Sequence, residues 1–167
     1  TKLHIIDFGA FSGSSIQRIS IPKTVEFIGE AAFSDCKKLS SIEFSEGIQI
    51  DSIKKNSFEN TIIPSIIFPP SLKILEEGWC CKTIKLNSIS FSKLNENFQF
   101  LNDKMVVGKM NSFSDEFDII LFACRDVDEV IIPSSIKRIG DSAFSECLKL
   151  KSVTFQSKSN LKSIGRK

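Results

Sequence analysis

Apolar residues recur along this chain in short alternating triplets. Ile19-Ser20-Ile21, Ile42-Glu43-Phe44, Ile66-Ile67-Phe68, Ile89-Ser90-Phe91, Val130-Ile131-Ile132 and Val153-Thr154-Phe155 each place an apolar residue on either side of a central one. Alternation with a period of two predicts short strands with one face buried. Pro22, Pro69 and Pro133 follow three of these triplets and end the strands, because proline has no amide to give a ladder. A second apolar element precedes each triplet. Val25-Glu26-Phe27-Ile28-Gly29-Glu30-Ala31-Ala32-Phe33-Ser34-Asp35-Cys36, followed by Leu39 and Ile42, aligns without a gap on Ile136-Lys137-Arg138-Ile139-Gly140-Asp141-Ser142-Ala143-Phe144-Ser145-Glu146-Cys147, followed by Leu150 and Val153.

Weaker copies fill the intervals. Aromatic anchors fall at Phe11, Phe33, Phe58, Trp79 and Phe144, the first four spaced by 22, 25 and 21 residues. A unit of this length cannot bury its own apolar face, so it is stable only when stacked on copies of itself. The expectation is a solenoid. The triplets form short parallel β-strands along one face, β or irregular segments run along the other, and little α-helix is present. Gly29 and Gly140 are expected at tight bends, with Ala32 and Ala143 leaving room for the following ring.

The shared pattern I-G-x-x-A-F-x-x-C-x-x-L-x-x-I-x-I-P resembles the BspA-like class of leucine-rich repeats. The resemblance covers most of the chain, at full strength in two copies and degraded in three. It implies a leucine-rich-repeat fold and a secreted or surface-anchored protein of a host-associated microbe. It also implies a role in adhesion to matrix proteins or other cells. Trp79 departs from the pattern: it stands for the anchoring Phe, with Cys80-Cys81 directly after it, and the family cysteine would fall on Lys82. The copy between Ile48 and Pro69 lacks the glycine and the cysteine.

Three stretches follow from this reading. Residues 1–91 hold about four coils. Residues 92–128 break the repeat, with two or three strands and a turn at Asn102-Asp103, as a hairpin-like insert within the same domain. Residues 129–167 resume the repeat. Two readings of the insert stay open: an excursion that carries specificity, since solenoid insertions vary freely on one face, or a long degenerate coil that keeps the stack together. The chain opens inside one repeat and ends inside another, at Leu161-Lys162-Ser163-Ile164-Gly165, which is expected of a piece of a longer array.

Composition narrows the function. Twenty-two basic residues against twenty acidic ones leave a net charge of +2. That is too balanced for a nucleic-acid surface, and no apolar run is long enough to cross a membrane. Fifteen Phe and no Tyr point to rings used for packing rather than for polar-tipped contacts. The single histidine, His4, has no evident partner for nucleophilic catalysis, and no phosphate-binding, dinucleotide or metal motif occurs. No catalytic residue, cofactor or metal is therefore assigned. Of the five cysteines, Cys36 and Cys147 sit at equivalent positions in distant coils and are expected to pack as small buried residues. The state of Cys80, Cys81 and Cys124 stays open, with a bridge from one of the adjacent pair to Cys124 as one alternative.

Binding is expected on the strand face. The central residue of each triplet and the residue just before it point away from the core. This gives Arg18, Ser20, Ser41, Glu43, Ser65, Ile67, Ser88, Ser90, Glu129, Ile131, Ser152 and Thr154 as the candidate protein-binding face. Two outward isoleucines among hydroxyls and a few charges suit a protein contact. The expected partner, by the family resemblance, is a host-cell or extracellular-matrix protein. The alternative is a structural spacer holding another module away from a surface.

Overall fold

A computed structural model describes residues 2–166. The chain winds as a series of coils, each made of a short back strand, two residues long except in coil 5, and a four-residue front strand. Coils 1 to 4 carry β1 (Ile5–Ile6) and β2 (Arg18–Ile21), β3 (Phe27–Ile28) and β4 (Ser41–Phe44), β5 (Ser52–Ile53) and β6 (Ser65–Phe68), and β7 (Ile74–Leu75) and β8 (Ser88–Phe91). A hairpin of β9 (Phe98–Leu101) and β10 (Met105–Gly108) comes next. Coil 5 carries β11 (Ile119–Ala123) and β12 (Glu129–Ile132), coil 6 carries β13 (Arg138–Ile139) and β14 (Ser152–Phe155), and β15 (Ser163–Ile164) opens a seventh turn. No helix occurs among the described residues.

Front strands pair in parallel, with the triplets in register: Ile19 on Ile42, Ile66 on Ile89, Val130 on Val153. The sequence suggests a single ladder. The structure has three separate pairs, β2–β4, β6–β8 and β12–β14. On the back, β1-β3-β5-β7 form one parallel sheet and β15-β13-β11-β10-β9 another. In the second sheet β10 runs antiparallel to β11 and β9 antiparallel to β10, with β10 buried along its length. One core fills the solenoid from Ile6 to Ala143. Within it Phe33 and Phe58 stack face to face, and the exposed Phe11 ring continues the stack at the first coil, with centroids 5.3 and 5.4 Å apart and planes 3° from parallel. Each such contact adds about 0.5–1.5 kcal/mol beyond area burial.

The turns between back and front strands repeat a backbone device. Gly9, Ala31, Asn56, Gly78 and Ser142 adopt positive φ, and so do Gly13, Asp35, Asn60, Lys82 and Glu146 four residues later. The bends lie at these two positions, not at Gly29 and Gly140 as the sequence suggests. Those two glycines serve a different end. A Cβ on Gly29 would lie 2.8 Å from the backbone of Asp7 and Phe8, and one on Gly140 would lie 2.9 Å from the Ile120 carbonyl. They let adjacent coils approach closely.

The same device corrects the reading of Trp79. Counted from the positive-φ residue, Cys80 occupies the backbone place of Phe33 and Phe58, and Trp79 that of Ala32 and Ser57. The ladder agrees: the Phe33 amide donates to Ser57, and the Phe58 amide donates to Trp79. Coil 4 therefore exchanges large for small within the pair, and Thr83, not Lys82, holds the cysteine position. Its hydroxyl donates to the Cys80 carbonyl at 2.7 Å, as Thr61 does to Phe58 at 3.1 Å. Phe122-Ala123 repeats the exchange in coil 5, since the Ala123 amide donates to Ala143. The face-to-face stack ends there. Trp79 meets Phe58 edge-on at 85° and Phe122 at 47°.

Candidate functional site

The predicted face lies where the alternation puts it. Arg18 pairs with Ser41, Ser20 with Glu43, Ser65 with Ser88, Ile67 with Ser90, Glu129 with Ser152 and Ile131 with Thr154. All are exposed except Ser41, which is half-buried. The structure thus brings the twelve residues onto one side of the solenoid, in three patches rather than a continuous strip. Ile67 and Ile131 are 74% and 58% exposed, far beyond what packing needs. Ile67 stands between two grooves. One, of about 380 Å³, runs between β4 and β6 past Ser41, Glu43 and Ser65. The other, of about 400 Å³, is floored by Phe44, Phe68 and Phe91 below Pro69 and Pro70. Among the described residues Arg18, Glu43 and Glu129 enter no ion pair, so their charges are free to face a partner.

Behind the face the regular stack is interrupted at coil 5, which is built differently. Its path from the buried back-strand isoleucine to the apolar residue before the front strand runs from Ile120 to Val127, whereas that of coil 2 runs from Ile28 to Leu39. The missing backbone is replaced by side chains. Arg125 is buried, 4% exposed, and among the described residues it enters no ion pair. Its guanidinium donates to the carbonyls of Thr83 and Cys80 in coil 4 at 3.2 and 3.3 Å. On the other side it donates to Ala123 and Ala143 at 3.2 and 3.3 Å, and it lies over the Phe122 ring at 4.5 Å. Five donors in a rigid fork can serve several carbonyls at once, which offsets the cost of burying the charge. A second side-chain tie crosses the same junction: Glu77 of coil 4 takes Arg138 of coil 6 in a two-point contact at 2.9 and 3.0 Å and accepts the Asp141 amide at 2.7 Å. The sequence did not single out Arg125. Its one trace is the shortened spacing from Ile120 to Val127.

All five cysteines are free thiols. The Cys36 thiol donates to the Phe11 carbonyl at 2.9 Å, and the Cys147 thiol to the Cys124 carbonyl at 3.4 Å, so each ties its coil to the preceding one. Cys36 is buried, whereas Cys147 is half-buried. Burial pushes the Cys80 and Cys124 thiols up to about 12, and raises Cys147 as well. These thiols stay protonated at neutral pH and are poor nucleophiles. His4 sits exposed, 3.1 Å from Glu26. Among the described residues no cluster of metal-ligating side chains occurs, and no helix is long and apolar enough to cross a membrane.

A stack of coils with the repeat I-G-x-x-A-F-x-x-C, front strands in parallel register and an exposed strand face defines a leucine-rich-repeat solenoid. The model of the BspA type leucine rich repeat region matches in six copies over residues 4–108 and 116–167, and the chain belongs to that family. Its fold is similar to that of the pneumococcal vaccine antigen PcpA, with a TM-score of 0.88 at 23% identity, over 98% of this chain and 39% of that one. A leucine rich cell surface protein from Faecalibacterium prausnitzii matches with a TM-score of 0.79 at 20% identity, over 95% of this chain and 40% of that one. A leucine-rich repeat protein from Eubacterium ventriosum matches with a TM-score of 0.69 at 22% identity, over 96% and 47%. This chain spans less than half the length of each. No curated protein matches its sequence.

Proposed function

We propose that this chain is a non-catalytic protein-binding module of a secreted or cell-surface protein, and that it contacts a host-cell or extracellular-matrix protein through the exposed strand face. The observation that carries this reading is Ile67. It is a large apolar side chain, 74% exposed, set between two grooves and surrounded by Ser41, Glu43, Ser65 and Ser90. An apolar anchor ringed by small polar groups is how a contact surface combines burial with hydrogen bonding. Two structures similar to this one are of a vaccine antigen and a cell surface protein, which supports a surface setting.

The test is binding of the purified chain to a panel of matrix proteins and intact host cells. Saturable binding to at least one of them is expected. If the chain binds none, the alternative gains: a structural spacer that holds another module away from a surface.

A further inference from the structure

On the back of the solenoid coils 4 and 5 part, and the parting leaves a cleft of about 710 Å³. Elsewhere on this side each back strand offers its next neighbour two carbonyls. Those of Glu26 and Ile28 accept the amides of Asp51 and Lys54 at 2.7 and 3.0 Å, and those of Asp51 and Ile53 accept Ile74 and Glu76, both at 3.0 Å. The matching carbonyls of coil 4 belong to Lys73 and Leu75. They face no strand, because β7 ends its sheet and β10 has taken the edge of β11 that would have paired with it. Among the described residues no amide reaches either carbonyl.

Both residues line the cleft. Its walls are apolar, formed by Ile74, Phe98, Met110 and Leu121. Charges around it are mostly spent: Lys73 is paired with Asp51, Glu76 with Lys54 and Glu77 with Arg138. Lys109 is the exception. It lines the cleft, its Nζ lies 5.5 Å from the centre of the Phe117 ring, and it has no carboxylate partner among the described residues.

We propose that this cleft takes an extended peptide segment of a partner protein, added as a strand on β7, with an apolar side chain in the cleft and a carboxylate against Lys109. Two strand-spaced acceptors call for two amides spaced as a β-strand spaces them. Strand addition to an open edge supplies affinity through the main chain, while the pocket beside it selects the side chain. The lone cation selects an acid. The site lies on the back of the solenoid and is independent of the front-face reading.

The probe is a fluorescein-labelled, acetylated peptide, Asp-Val-Ile-Val-Thr-Val-Asp, titrated against the chain by fluorescence polarisation, with carbonyl-carbon NMR shifts as the second readout. Saturable binding is expected, with shifts at Lys73 and Leu75. Lys109→Glu and Ile74→Glu, at half-buried and exposed positions the fold tolerates, each weaken it by about tenfold or more. The same peptide with every amide nitrogen methylated does not bind. Absence of saturable binding overturns the proposal, as does equal binding of the methylated peptide. A variant altered at Glu43, Ile67 and Ile131 together keeps peptide binding; its loss there would move the peptide to the front face and refute the cleft.

Discussion

Coils 2 and 3 and coil 5 do the same structural job by different means. In coils 2 and 3 the backbone satisfies itself. Turn amides of one coil donate to turn carbonyls of the next, small residues sit beside rings, and Phe33 and Phe58 stack with planes 3° apart. Coil 5, with its short turn, keeps the Ala123-to-Ala143 rung of that ladder, and Arg125 and Glu77 close the rest of the gap with side chains. Regular coils are redundant, because each contact has copies above and below. The junction is not redundant, because one guanidinium serves four carbonyls. An irregular coil in a solenoid thus concentrates stability in few residues, and it frees a sheet edge that the regular stack covers.

That contrast can be broken at its most concentrated point. Arg125→Met is expected to lower stability by about 3–5 kcal/mol, since it removes four charge-assisted hydrogen bonds and the contact with the Phe122 ring that together tie coils 4 and 6 across coil 5. Urea unfolding followed by far-UV circular dichroism measures the loss, and Arg125→Lys recovers only part of it because an ammonium cannot fork. If Arg125→Met costs less than about 1 kcal/mol, the junction does not depend on this residue.

The large-for-small exchange is tested next by a double-mutant cycle. Trp79→Ala alone is expected to cost about 3–5 kcal/mol through the cavity it opens. Adding Cys80→Phe restores the order of the regular coils and recovers at least about 1 kcal/mol, a coupling that additive sites would not show. Glu77→Gln follows. It is half-exposed, and about 1 kcal/mol is expected from the weakened contact to Arg138. Smallest is Gly78→Ala, where φ is +75° and a Cβ costs about 1 kcal/mol or less, against a near-neutral Asn56→Gly at the same place in coil 3. Thermal midpoints rank these last two.

Much of this was legible in the sequence, because a solenoid writes its fold as a period. The triplets at Ile42-Glu43-Phe44 and Val153-Thr154-Phe155 gave the front strands, and the alternation within them gave the outward set from Arg18 to Thr154. Trp79 misled for a definable reason. The eye aligns aromatic on aromatic, whereas Leu72, Leu75 and Leu86 align the coil one residue further on, where Cys80 takes the ring's place. Gly29 was read as a bend because glycine is free to turn, but its role comes from a neighbouring backbone that no local pattern reveals. Arg125 was invisible for the same reason. An arginine beside aspartate in a polar stretch reads as solvated, and only the shortened turn around it makes it a core residue.

The reading as a whole turns on the front face, and one comparison decides it. Wild type and a variant carrying Glu43→Ala, Ile67→Ser and Ile131→Ser are compared for affinity toward whichever matrix or cell-surface protein the wild type binds. Ile84→Ser, an equally exposed change away from the face, is the control. The triple variant is expected to fold as wild type does and to bind at least about a hundredfold more weakly, as loss of two apolar anchors and a charge implies, while the control binds normally. Equal affinity of the triple variant and the wild type would contradict the assignment of the strand face.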